Sequence, residues 1–151
     1  MSQPAAPDIS TLGELKASGY TYRGVKAEIR DNLIKKLQQG ETLFDGVIGY
    51  EATVVPQITN ALLGCQDIIF LGERGQAKSR MVRALTGLLD EWTPVLKDSE
   101  IPEDPLAPIT QAGRTTIADH GDDTPITWLH RGERYGEKLA TPDITIADII
   151  G

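Results

Sequence analysis

Apolar residues recur along this chain in blocks whose spacing switches between helical and extended. From Val25 to Gln39, Ile29, Leu33, Ile34 and Leu37 form a stripe at three- and four-residue steps, closed by Gly40, which predicts a helix. Glu51 to Leu63 repeats the rhythm with Val54, Val55, Ile58, Leu62 and Leu63, and Gly64 supplies its stop. Pro56 falls inside that helix and predicts a local distortion. A third helix is expected over Lys78 to Trp92, where Val82, Leu85 and Leu89 share a face and Arg80 and Arg83 lie between them. Leu12 to Ala17 reads as a short helix ended by Ser18-Gly19. Two stretches break the helical period. Asp67-Ile68-Ile69-Phe70-Leu71 is apolar, β-branched and aromatic, and too short for a helix, which predicts a buried strand. Pro125 to His130 predicts a second strand, followed by a charged turn from Arg131 to Gly136.

The polar stretches define the rest. Residues 1–10 are rich in Pro, Ala and Ser and are expected to form a disordered leader. Residues 98–123 hold seven carboxylates, including Glu103, Asp104 and Asp119, against one basic residue, Arg114, with Pro102, Pro105 and Pro108 among them. That composition predicts an extended acidic excursion. Asp119-His120-Gly121-Asp122-Asp123 lacks the paired spacing of a zinc site and the alternation of a calcium loop, so it reads as a solvated acidic loop. The final Ile144-Thr145-Ile146-Ala147-Asp148-Ile149-Ile150-Gly151 ends on apolar residues, and the expectation is an N-terminal segment of something longer.

Composition narrows the class. A chain of 151 residues, 40% hydrophobic and 25% charged, suits one compact domain. A net charge of −7 and a pI near 4.8 weigh against nucleic acid or an anionic membrane as the main partner. No apolar run approaches transmembrane length, and Met1 to Pro7 has neither the charge nor the apolar core of a signal peptide, so a cytoplasmic location is expected. The single cysteine, Cys65, has no internal disulfide partner and reads as a small buried thiol. Lys35 and Lys36 sit in the last turn of their helix, where positive charge suits the dipole, and read as a solvated helix end.

The richest chemistry follows the first predicted strand. Gly72-Glu73-Arg74-Gly75-Gln76-Ala77-Lys78-Ser79 has the layout G-x-x-x-x-G-K-[ST] of a phosphate-binding loop, with Ala77 in place of the second glycine. Backbone N–H groups of a tight loop can point at phosphate oxygens, and the positive end of the following helix adds to the same spot. Lys78 would reach the β- and γ-phosphates of ATP, and the Ser79 hydroxyl would ligate Mg²⁺. The methyl of Ala77 restricts the backbone and crowds the approach. Leu88-Leu89-Asp90-Glu91 imitates the apolar-run-plus-Asp-Glu signature of ATPases, but it lies inside the helix that the loop opens, so it reads as a helix terminus.

Phe44 to Asp90 resembles AAA+ ATPases of the magnesium-chelatase I-subunit and MoxR-like group. The resemblance rests on a box formed by Phe44, Val47, Ile48, Gly49 and Glu51, then a helix ending near a glycine, then the strand and loop. Tyr50 stands where a glutamine or histidine is more usual. The resemblance implies an α/β fold with a P-loop AAA+ core over residues 44–151, incomplete at its C-terminal side, behind an N-terminal helical extension over 11–43. It implies that Val47 and Ile48 lie near the adenine base, and that Gly72, Glu73, Arg74, Gly75, Gln76, Ala77, Lys78 and Ser79 hold ATP and Mg²⁺. It further implies a homo-oligomeric ring, a partner with a von Willebrand-type domain, and coupling of ATP hydrolysis to remodelling or metal insertion. The family's Asp-Glu strand, sensors and arginine finger are not visible, and Arg114, Arg131 and Arg134 cannot be assigned as fingers from sequence. Two functions stay open: a motor ATPase, and a nucleotide-binding or structural interaction module without hydrolysis.

Overall fold

The computed structural model describes residues 4–44, 48–73, 77–138 and 145–147. Among them the chain forms a mixed α/β domain. Its elements are helices α1 (Leu12–Ala17), α2 (Val25–Gln38), α3 (Val54–Leu63) and α4 (Lys78–Ala84), strand β1 (Trp92–Leu96), helix α5 (Gln111–His120) and strand β2 (Ile126–His130). The strands pair antiparallel in the register Trp92↔His130 to Leu96↔Ile126. Pro94 sits mid-strand opposite Trp128, which a two-stranded sheet tolerates because each strand has a free edge.

Local chemistry sets the element ends. Thr11 caps α1 by accepting the N–H of Glu14 at 3.3 Å, while the Glu14 carboxylate accepts the N–H groups of Ser10 and Thr11 at 2.8 and 3.2 Å. The helix that Pro56 was expected to distort begins three residues later than predicted, at Val54. Pro56 therefore lies in the first turn, where its missing N–H has no intrahelical partner to lose, and α3 runs on unbroken to Leu63. The Tyr50 carbonyl gathers the N–H groups of Thr53, Val54 and Val55 at 3.1–3.2 Å as the chain enters that helix.

Three expectations are corrected. The helix predicted over Lys78 to Trp92 stops at Ala84, tightens into a 3₁₀ turn at Leu85–Leu88, and gives way to β1 at Trp92. Leu88 and Leu89 are both buried, and Asn32 Nδ2 caps the Leu88 carbonyl at 2.9 Å. The acidic 98–123 excursion contains a helix, α5, whose N-cap Thr110 accepts the Gly113 N–H at 2.9 Å. Asp67–Leu71 forms no strand and belongs to no sheet among the described residues. Ile68 and Phe70 pack inward on the core, whereas Ile69 and Leu71 are 83% and 88% exposed. The sheet among the described residues is antiparallel and two-stranded, so the P-loop AAA+ core implied by the resemblance is not supported.

Two apolar clusters organise the interior. One gathers Leu33, Leu43, Phe44, Ile58, Leu62 and Met81 from α2, α3, α4 and the loop before α3. The other gathers Leu12, Leu15 and Ile126, with Ile9, Ile117 and Trp128 against them. The segment expected to be a disordered leader thus ends in ordered contacts. The Ile9 carbonyl accepts Trp128 Nε1 at 2.8 Å and the Ser10 carbonyl accepts the Ile126 N–H at 2.9 Å. No helix among the described residues is long and apolar enough to cross a membrane.

Candidate phosphate-binding loop

The Asp67–Leu71 segment leads into Gly72, and α4 begins at Lys78, so the loop ends at a helix start. Ala77, the N-cap of α4, is left-handed, with φ 54° and ψ 13°. This geometry explains why glycine is the usual residue here: an L side chain costs about 1 kcal/mol or more in that region. The Lys78 ammonium folds back over the loop, donating to the Gly72 carbonyl at 2.8 Å and to the Glu73 carbonyl. Its described partners are neutral carbonyls, with no carboxylate against it. Ser79 is exposed on the first turn of α4. Arg74, Gly75 and Gln76 lie outside the described residues, as does Val47.

Other predicted positions are more dispersed. Ile48 is 85% exposed, on the surface. Phe44 of the same box is a core residue, and Glu51 accepts the Gly49 N–H at 2.8 Å, so the box also works as a structural turn into α3. Cys65 is half-buried rather than enclosed, takes a left-handed conformation with φ 54°, and directs its thiol at the Lys26 carbonyl 3.8 Å away. Two apolar clefts flank the Asp67–Leu71 segment. One of about 330 Å³ is lined by Val25, Ile29, Phe70, Val82 and Leu85, and one of about 430 Å³ by Val54, Ile58, Ala61, Ile69 and Leu71.

The carboxylates divide sharply. Asp90, which the sequence places beside an apolar run, is locked in place. Its Oδ2 takes Arg23 at 2.5 Å, its Oδ1 takes Asn32 at 2.8 Å, and its N–H donates to Glu28 Oε1 at 2.7 Å. Glu28 in turn holds Arg134 through both oxygens, at 2.6 and 2.7 Å, and Arg134 also reaches Thr93 Oγ1 at 2.7 Å. Nearby, burial and the Asp104 carboxylate push the Tyr20 phenol well above its usual range. Sequence spacing gives no sign of this network, because Glu28 and Arg134 are 106 positions apart. Glu103 is likewise invisible in an acidic-looking stretch, yet it is 3% exposed. Among the described residues no three His, Cys, Asp or Glu side chains converge as a metal site. Asp122 pairs instead with Lys16 at 2.6 Å, and His120 Nδ1 lies 2.9 Å from the Thr116 carbonyl.

Comparison with protein-family models, with curated proteins and with solved structures returned no match.

Proposed function

We propose that this chain binds a magnesium nucleoside triphosphate through Gly72–Ser79, as the ATP-binding segment of a magnesium-chelatase-like or MoxR-like AAA+ ATPase. The observation that carries the reading is the Lys78 ammonium folded onto the carbonyls of Gly72 and Glu73. A cation whose described partners are neutral oxygens, at the start of a helix, exchanges them favourably for phosphate oxygens. The donor set suits the ligand: Lys78 for the β- and γ-phosphates, and the exposed Ser79 hydroxyl for Mg²⁺. When bound, Mg²⁺ would neutralise phosphate charge and orient the triphosphate. In the larger assembly that the resemblance implies, this segment would line the interfaces of a ring that remodels a partner or inserts a metal.

The second reading, a nucleotide-binding or interaction module without hydrolysis, is favoured by the engagement of Asp90. A carboxylate already shared between Arg23 and Asn32 is not free to position an attacking water. Calorimetric titration with Mg·ATP, comparing the chain with Lys78→Ala, tests binding. Heat evolved by the parent and lost in the variant is the expected result; equal heats in both, or none in either folded protein, would refute the proposal.

A further inference from the structure

The two apolar clusters share no member, and among the described ties between the segments that carry them are the Glu28–Arg134 and Arg83–Glu137 ion pairs. The chain links the halves covalently at residues 20–24, between α1 and α2, and at residues 89–91, just before β1. A third link is non-covalent. After β2 the chain runs through residues 131–138, beginning with the Arg131 N–H on the Glu91 carbonyl at 3.0 Å. Arg134 then grips Glu28 of α2 with two bonds, and Glu137 grips Arg83 of α4 with two more, both at 2.8 Å. Tyr135 steadies Glu137 through its hydroxyl at 3.1 Å.

We propose that residues 131–138 form a latch that holds the sheet-bearing half on the helical half. Opening the latch lets the halves turn where the chain leaves the helical half, after Asp90 and within residues 20–24, while Asp90 stays bound to α2 and each core stays folded. Small polar contacts between separate cores permit such motion, whereas a shared apolar core would forbid it. The two clasps differ in strength. The Arg83–Glu137 side chains are 61% and 42% exposed, so water and salt compete for them. The Arg134–Glu28 side chains are only 12% and 5% exposed, and stranding either charge there is costly. The strap therefore peels from its Glu137 end, and Arg134 is the step that frees the halves. This inference does not depend on what the Gly72–Ser79 loop binds.

Hydrogen exchange of the 151-residue chain, read by mass spectrometry, tests it. The double variant Glu28→Gln/Arg134→Met removes both buried charges together. Exchange should quicken about tenfold or more at Asp90, Arg131 and Arg134, whose N–H groups are held on Glu28, the Glu91 carbonyl and the Arg131 carbonyl, with α1, α2 and β1 keeping their protection. Unchanged exchange at those three positions, or protection lost equally in both cores, would overturn the latch. Arg83→Gln/Glu137→Gln touches only exposed groups, so it keeps the test open should the first variant not fold. It should quicken exchange at Arg134, whose N–H is held on the Arg131 carbonyl, and leave Leu89 and Asp90 protected; an unchanged rate at Arg134 would overturn the peeling order and the latch with it.

Discussion

Glu103 provides the sharpest quantitative test of the fold. Its carboxylate is almost wholly enclosed and accepts four hydrogen bonds. One oxygen takes the hydroxyls of Ser99 and Thr110 at 2.8 and 2.6 Å, and the other takes the N–H groups of Ile109 and Thr110, each at 2.8 Å. Burial alone would raise its pKa, but the Thr110, Ser99 and Ile109 donors outweigh burial and bring it from 4.5 to about 2. The folded pKa is depressed, so the stabilisation is complete above the unfolded value near 4.5 and is lost as pH falls toward 2. A gap of about 2.5 pH units corresponds to about 3 kcal/mol. Glu103→Gln keeps the shape and removes the charge; its carbonyl can still serve the two N–H groups, and the hydroxyls can turn to accept from its amide. Urea unfolding at pH 7 should therefore show a loss of about 2–3 kcal/mol. Between pH 7 and pH 3.5 the difference between parent and variant should shrink by about 1.4 kcal/mol, as the parent carboxylate takes up its proton on unfolding. A difference that stays constant across that range would show that the carboxylate charge contributes nothing and would refute the reasoning.

Further expectations address the loop and the cores. Ala77→Gly relieves the left-handed conformation at a smaller entropic cost in the unfolded chain, so stability should rise by about 0.5–1 kcal/mol in thermal or urea unfolding. The same change should tighten Mg·ATP binding in calorimetry if the methyl obstructs the phosphates. Leu33→Ala and Leu15→Ala each empty a fully buried site in a different cluster and should each cost about 2–5 kcal/mol by urea unfolding. Phosphate release by the 151-residue chain should stay at background, since Asp90 is engaged elsewhere. Turnover abolished by Lys78→Ala would contradict that.

The legible parts of the fold are those in which one side chain sets one local outcome. The Ser18-Gly19 stop marks the end of α1, the Ile29-Leu33 stripe announces α2, and Pro125 to His130 reads as a strand, of which Ile126–His130 forms β2. Boundaries fail where tertiary partners intervene. Leu85, Leu88 and Leu89 continue a helical count, yet Asn32 from α2 ends the run by taking the Leu88 carbonyl. α5 stays hidden because its charges face solvent and its one signal, Thr110 before Gly113, is buried in an acidic stretch. The loop motif is readable because phosphate chemistry demands adjacent residues; that its sixth position is left-handed emerges only from the backbone. The Arg134–Glu28 pair could not be read at all, since neither residue has a neighbour in sequence that hints at the other.

The Asp67–Leu71 segment carries a cost in solution. Ile69 and Leu71 project outward from a segment that no strand covers among the described residues, and an apolar, β-prone run of this kind is a template for edge-to-edge mispairing. Asp67 and Glu73 stand at its two ends as gatekeepers, since like charges meet when two copies stack in register. Repulsion between whole molecules vanishes as the medium approaches the pI near 4.8. Solubility should therefore reach its minimum there, and the chain should be handled at neutral pH or above.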